Sequence, residues 1–546
     1  MKKIIKSIKE LMLKNRAEGL LLFLILTVAI FLRFYHIARL EFFTYDQARD
    51  ALFVKRMIVD REFRLLGTQT SLPGMYLPPF YYYTIAVVLW LFRLNPAGID
   101  IYSGLIGVLS IPLVYYVANK IFGKPADIFS AGLFAVSPII VELTRRAWNC
   151  NTLPFFILIA FYFVYLYFKE RKVRDFLLAF TFYGYSLSLH FGAWTLIPLF
   201  IYIWFYALIK NKLKTKWLLT GAGIAFFFIS PLLIFELRHN FILVSQAKMF
   251  FFDGGHLGAA PGNFWESLIS SLISIFTILI SGKITVGYGA PLEFSGKFKE
   301  FFTSSQQISV VAQKPFSLTY QWWGTGVFLL IFFYSIYIFY KNFKLNKERK
   351  TNDFLPLLLI WIWILWGVFA SRIYSGKFFF FYYLYLFPAP ILLFGYLCKK
   401  GWENKWLRLP LFLVVLAIVS FHVRFTTVFA TGWRNISDLK NVAKIIAQNT
   451  PEGIKFNIAT IQKDADRWDR NSVDYRYFVE TYFKKVSLDW YPENYREAEE
   501  LFVVSEGGTA DVLKSNIMEI TEFYPSNILA EWRTEKGIVI YKLGKK

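Results

Sequence analysis

Run after run of this chain is apolar for as long as a lipid bilayer is thick. "GAGIAFFFISPLLIFE" (221–236) and "LLLIWIWILWGVFASRI" (357–373) are two of these runs. A helix needs about 18–20 such residues to cross the hydrocarbon layer, and a barrel strand only about ten. Backbone groups inside lipid must be satisfied within the chain, so runs of this length fold as spanning helices. With 56% hydrophobic residues and a mean hydropathy of +0.42, the 546-residue chain reads as an α-helical polytopic membrane protein.

Spanning segments are predicted at about 19–36, 101–119, 126–142, 152–168, 175–190, 194–209, 217–236, 320–340, 355–373, 378–397 and 410–428. With the N-terminus in the cytoplasm, the alternate loops 1–16, "NKIFGKPAD", "KERKVRD", "KNKLKTK", "KNFKLNKERK" and "CKKGWENKWLR" hold 25 Lys and Arg residues. The short loops on the other face hold few, which sets an N-in, C-out orientation of eleven spans. The net charge of +23 therefore belongs to membrane topology and implies no nucleic-acid partner. The basic N-terminus runs into its apolar stretch without a small-residue cleavage site, so the first helix is expected to be retained. Cys150 and Cys398 are too far apart for a disulfide framework.

Two further apolar stretches, 77–92 and 264–280, break the alternation if either spans alone. Both are expected to lie on the outer face as interfacial or re-entrant helices. Residues 1–430 form the membrane domain. Residues 431–546 hold 17 Lys and Arg against 18 Asp and Glu, and read as an extracytoplasmic soluble α/β domain. Its expected elements are a helix "SDLKNVAKIIAQN" with a Ser cap, a strand "IKFNIATI", a helix "VDYRYFVETYF", and strands "LFVVSE" and "GIVIYKL".

The chemistry-bearing residues gather on the outer side. In "TYDQARDALFVKRM", Asp46, Arg49 and Asp50 are spaced i, i+3, i+4 and share one helix face. Ionisable groups beside the membrane core are candidates for function, the alternative being a local ion pair. "GMYLPPFYYY" offers Tyr76, Tyr81 and Tyr82 for sugar, acceptor or lipid contacts, or as an interfacial aromatic belt. "ELTRRAWNCN" brings Arg145 and Arg146, either as phosphate contacts or, through Glu142, as a structural pair. His190, Glu236, Arg238, His239, Arg372 and Lys377 stand at the outer ends of spans, where they can converge on one cavity. "GGHLGAAPGN" (254–263) reads as a loop covering the site. No His-x-x-x-His zinc spacing, Walker loop or dinucleotide turn occurs.

The order of a basic N-terminus, one span, "FTYDQAR", "LPPFYYY" and "YSGLIGVLSIPLVYYVANKIFGKPADIFSAGLFAVSPIIVELTRRAW" resembles the GT-C superfamily of membrane glycosyltransferases. Within it the chain is similar to glycosyltransferase family 39, with its protein O-mannosyltransferase and lipid A aminoarabinose transferase relatives. The resemblance covers residues 15–245 best. It implies transfer of a sugar from a polyprenyl-phosphate donor to an acceptor hydroxyl on a protein, lipid or glycan at the outer face, with inversion. Asp46 then stands where the family's catalytic base stands, Asp50 supports it, and Arg49 faces the donor phosphate. Arg145, Arg146, Arg238, His239, Arg372 and Lys377 are further candidates for that phosphate, and His190 for sugar or lipid. No metal or other cofactor is expected. The chain departs from the family in three places. Gln47 replaces the second acid of an Asp-Glu pair, no basic residue precedes Pro78–Pro79, and Asn149 and Asn151 occur where relatives carry an Asp. A catalytically degenerate relative is one alternative. A lipid-linked sugar transporter is another, but it predicts mid-membrane charges and a repeated half, and neither is present.

Overall fold

The structure is a computed structural model and describes residues 16–37, 43, 45–70, 74–253, 264–286, 308–309, 316–343, 353–374, 379–429, 434–462 and 472–546. Among them, nine helices are long and apolar enough to cross a membrane, and two bent pairs bring the figure up to eleven. The bends follow from proline. Ala126–Val136 and Pro138–Thr144 meet at 62°, and Phe380–Leu386 and Pro388–Glu403 at 60°. A proline at a first helical position starts a new helix and cannot continue the old one.

Burial sorts the bundle into layers. Asn149–Glu170 is 61% buried over its most apolar window, whereas Thr215–Arg238 and Arg408–Phe429 are each 22% buried. The first is central; the other two turn Phe226, Phe227, Leu413 and Val414 outward, as lipid-facing helices do. The expected span 175–190 is a 15-residue helix, Val173–Leu187, that ends before His190. It packs along Leu153–Glu170 and Thr215–Arg238.

Three helices carry the first part of the chain. They are α1 (Arg16–Phe34), α2 (Tyr45–Val59) and α3 (Phe80–Leu91). At 12 residues, α3 is too short to span. Phe264–Ser281, here α4, passes the length and hydropathy test for a span. Yet its first residue packs on Phe369, near the C-terminal end of Phe354–Ser371. Its Ile280 carbonyl bonds to His422 (2.9 Å), near the C-terminal end of Arg408–Arg424. Those two ends are separated by one antiparallel helix, Pro388–Glu403, and so lie on the same face. Between these two contacts Phe276 stacks on Trp361, midway along Phe354–Ser371, and α4 is 67% buried in protein over its most apolar window. Strand β1 (Gly282–Val286) follows directly, and forms with β2 (Ile308–Ser309) and β3 (Phe316–Tyr320) an antiparallel sheet of order β1-β3-β2.

The C-terminal part is a four-stranded mixed sheet of β4 (Phe456–Ile461), β5 (Glu500–Ser505), β6 (Ser526–Arg533) and β7 (Val539–Lys545), ordered β4-β5-β7-β6. β4 and β5 are parallel; the other pairs are antiparallel. The sequence reading misses β6, whose side chains are mostly exposed and present no buried run. It also misplaces one cap. Helix Ile436–Gln448 is capped by Asn435, not Ser437: Asn435 accepts from Ser437 and Asp438, and Asp438 accepts from the Asn435 amide in return.

This part docks on α2 through α5 (Val473–Phe483). Glu480 accepts from Lys55 Nζ (2.8 Å) and Arg56 Nη2 (3.2 Å), with all three side chains largely buried. Phe43 packs on Tyr477 and Phe478, Phe53 on Trp490, and the Tyr477 hydroxyl donates to the Leu94 carbonyl at 2.7 Å. The helix bearing the Asp-Arg-Asp face is thus held between the membrane bundle and the sheet domain.

Candidate active site

Asp46 stands in the first turn of α2, where the helix dipole favours a carboxylate. Arg49 and Asp50 follow on the same face, and the guanidinium bridges the two acids. Its Nη1 lies 3.0 Å from Asp46 Oδ1, and its Nη2 2.9 Å and Nε 3.1 Å from Asp50 Oδ1. Exposure separates the two acids. The Asp50 side chain is 4% exposed and that of Asp46 29%, so Asp46 is the one an incoming molecule can reach. Asp50 is further fixed by the Tyr82 hydroxyl (2.8 Å) and, weakly, by Thr68 Oγ1 (3.5 Å).

Burial raises both carboxyls above the ordinary aspartate range, with Arg49 opposing the shift and, for Asp46, the charge of Asp50 adding to it. Burial alone would lower the Arg49 guanidinium, but the two acids hold it well above its usual value. The arrangement is a solvent-reachable carboxylate of raised basicity, oriented by an arginine that is itself clamped from behind. With both acids ionised, the three groups carry a net charge of −1.

The expected convergence of outer-face cations on this site is not what the described residues show. Arg145 is buried and donates from both terminal nitrogens to the Leu32 (2.7 Å) and Tyr35 (2.8 Å) carbonyls; it caps the end of α1. Arg146 pairs with Glu142, which also accepts from Thr427. Arg238 and His239 are exposed, and the His239 ring stacks on Phe235 and bonds to that residue's carbonyl. Glu236 is turned the other way and caps helix Ile242–Lys248 through the amides of Leu243 and Val244. Arg372 is buried at the end of Phe354–Ser371, beside Tyr383. His190 accepts from the Gly192 amide (3.0 Å) and packs between Phe381 and Tyr382. Lys377 and the loop 254–263 lie outside the described residues.

The three tyrosines divide. Tyr82 is buried and serves Asp50; burial and the Asp50 charge hold its phenol well above its usual range. An interfacial belt would have left it exposed. Tyr81 is buried in the core beside it. Tyr76 is half-buried on a short hairpin, in which Gly67 N donates to Leu77 O (2.8 Å) and Leu77 N to Thr68 O (2.9 Å). Its electrostatic neighbours are Arg49, Arg64 and, from the sheet domain, Tyr491. Sequence reasoning missed Arg64 and Thr68, which reach the site only because this hairpin folds back over α2. Asn149 and Asn151 donate to the Leu189 and Arg146 carbonyls and shape their own loop.

Among the described residues, no group of three or more His, Cys, Asp or Glu side chains is placed to hold a metal ion. A cavity of about 90 Å³ opens between Asn149–Glu170, Phe191–Ile209 and Phe354–Ser371, lined by Phe161, Val164, Phe200, Ile203, Leu359 and Trp363. Its walls are almost entirely apolar.

The family described as dolichyl-phosphate-mannose-protein mannosyltransferase matches residues 77–235. The match begins after α2, so the Asp-Arg-Asp face lies outside it. No curated protein sequence matches the chain. Among solved structures, ArnT from Cupriavidus metallidurans bound to undecaprenyl phosphate is similar at 12% identity. It is matched over 97% of this chain and 98% of that one, with a TM-score of 0.56. The Archaeoglobus fulgidus oligosaccharyltransferase tethered to an acceptor peptide with an NVT sequon is similar at 13% identity, over 97% and 74% of the two chains, with a TM-score of 0.51. At such identities the likeness establishes the fold. The chain has the GT-C fold of membrane glycosyltransferases, and with its many apolar helices it is an integral membrane protein.

Proposed function

We propose that this GT-C-fold protein transfers a sugar from a polyprenyl-phosphate donor to an acceptor hydroxyl, with Asp46 as general base. The observation that carries the reading is the partly buried yet reachable Asp46 carboxylate, raised by burial and held by an arginine whose other partner is a buried acid. A base must sit within hydrogen-bond reach of the proton it takes, with a pKa close to working conditions. Asp46 is reachable and shifted in that direction.

The acceptor oxygen forms a bond to the anomeric carbon as its proton passes to Asp46. The bond from that carbon to the phosphate oxygen breaks, and its electron pair leaves with the polyprenyl phosphate. Attack opposite the leaving group inverts the anomeric centre. Arg49 orients Asp46 and Asp50 anchors Arg49. The relatives that share the fold are described with undecaprenyl phosphate and with an acceptor peptide, the two ends of such a reaction. The apolar cavity offers an isoprenoid chain a dry seat. The distribution of loop charges supports an active face and sheet domain outside the cell.

The test is transfer from radiolabelled undecaprenyl- or dolichyl-phosphate sugars by the purified full chain, with hydroxyl-bearing peptides and lipids as acceptors. Labelled acceptor together with released polyprenyl phosphate supports the reading. Full-chain protein that is folded yet binds no polyprenyl phosphate and transfers nothing overturns it.

A further inference from the structure

A phosphodiester donor carries one negative charge, and its leaving group, a phosphomonoester, carries close to two. A cation must meet that added charge. The Asp-Arg-Asp group does not supply it, because Arg49 is matched by two carboxylates and the three together carry −1. Of the basic residues considered above, Arg145 is committed to the α1 carbonyls and Arg146 to Glu142.

Arg64 is differently placed. Its guanidinium carbon lies 3.9 Å from the centre of the Phe53 ring. Phe53 is the next residue along the Asp46, Arg49, Asp50 face of α2, and its ring packs edge-on to Tyr82, the partner of Asp50. The Phe53 ring therefore holds the Arg64 cation beside the site. Its charged and titratable neighbours are Tyr82, Glu62, Arg56 and Asp489. Among the described residues only Glu62 makes an ion pair with it, at 3.5 Å from an exposed side chain, and Asp489 is nearly half exposed and already paired with Arg56. Arg64 Nε is buried and has no hydrogen-bond partner among the described residues. Tyr76 stands close enough to both Arg64 and Arg49 to feel their charges.

We infer that Arg64 binds the donor phosphate, with its guanidinium held over the Phe53 ring beside the Asp46–Arg49–Asp50 face of α2. Three features fit a phosphate ligand. The guanidinium is planar and always charged, so it takes phosphate oxygens in pairs. The cation–π contact with Phe53 restrains the guanidinium in advance and reduces the ordering needed on binding. Its competing carboxylate is exposed and weak, so phosphate displaces little. This assignment rests on the lipid-phosphate reading above, but it does not depend on Asp46 being the base.

The experiment is equilibrium binding of undecaprenyl phosphate to the detergent-solubilised full chain. Wild type, Arg64→Gln, Arg64→Lys and Asp46→Asn are compared, with undecaprenol and inorganic phosphate as separate probes. Thermal unfolding of each variant establishes that it is folded. A charge-assisted contact of this kind is worth roughly 1.5–3 kcal/mol, or about 10- to 150-fold in Kd. Arg64→Gln is expected to weaken undecaprenyl phosphate binding by that factor, with undecaprenol binding unchanged. Arg64→Lys retains part of the affinity, and Asp46→Asn, which removes a negative charge from the group, binds at least as tightly as wild type. Competition by inorganic phosphate in wild type, lost in Arg64→Gln, assigns the contact to the phosphate group itself. Equal affinity of wild type and Arg64→Gln overturns the Arg64 assignment and leaves the proposed function standing. Failure of wild type to bind the lipid phosphate at all overturns both. Loss of undecaprenol binding in folded Arg64→Gln assigns the residue to the tail and overturns the inference.

Discussion

Replacing Glu480 by Ala removes the acid that ties the sheet domain to α2. In the native protein its carboxylate takes Lys55 Nζ at 2.8 Å, Arg56 Nε at 3.3 Å and Arg56 Nη2 at 3.2 Å, with the Glu480 side chain 5% exposed. Removing one partner of a buried pair generally destabilises by about 3–5 kcal/mol, because a buried charge is left behind. Here the loss is smaller. Lys55 keeps Asp60 at 3.0 Å and Arg56 keeps Asp489 at 3.5 Å, both part-exposed. The remaining loss is about 2–3 kcal/mol, roughly a 30- to 150-fold rise in the population in which α5 has left α2. Hydrogen exchange reads this directly. Amides of residues 45–59 and 473–483 exchange faster by that factor, while those of the central helix Leu153–Glu170 do not change. Adding Lys55→Met to Glu480→Ala removes the stranded charge and recovers part of the protection. Exchange in both helices within twofold of wild type refutes the claim that Glu480 clamps α2.

Other consequences follow for the site and its frame. Burial and the charge of Asp50 both raise Asp46, so transfer activity is lost as pH falls through a value above the ordinary aspartate range, and it is retained at higher pH. Asp50→Asn removes one raising charge and frees Arg49 for Asp46, so the acid limb of the kcat/KM profile moves to lower pH; a move to higher pH contradicts the clamp. Arg145→Met strips the cap from α1 and lowers thermal stability by about 1–3 kcal/mol, with the KM for donor unchanged; a raised KM without loss of stability returns Arg145 to the phosphate site.

The parts of this account that were legible in the sequence are those set by local periodicity. The apolar runs specify helices, and the i, i+3, i+4 spacing of Asp46, Arg49 and Asp50 specifies one face of α2, because both depend only on helix geometry. What was not legible depends on where the chain returns. Arg145 reads as a phosphate contact or a partner of Glu142 until the structure sets it against carbonyls more than a hundred residues away. Tyr82 reads as one of an aromatic run, and only the packing of α3 on α2 gives its hydroxyl to Asp50. Arg64 sits in "DREFRLLG", a stretch that looks like solvated loop, and nothing local says that it will lie on Phe53. Helix α4 shows the converse limit. Its length and hydropathy suit a span, and only the alternation of basic loops argues for placing it on one face.

The central claim is that Asp46, and not the buried Asp50, takes the acceptor proton. The most direct measurement is the single-turnover transfer rate, with saturating polyprenyl-phosphate sugar, of wild type, Asp46→Asn and Asp50→Asn. Removing a general base lowers the rate about 10²- to 10⁴-fold. The account predicts a loss of that size in Asp46→Asn with donor affinity retained, and a smaller loss in Asp50→Asn. An Asp46→Asn enzyme as fast as wild type, or one less impaired than Asp50→Asn, contradicts it.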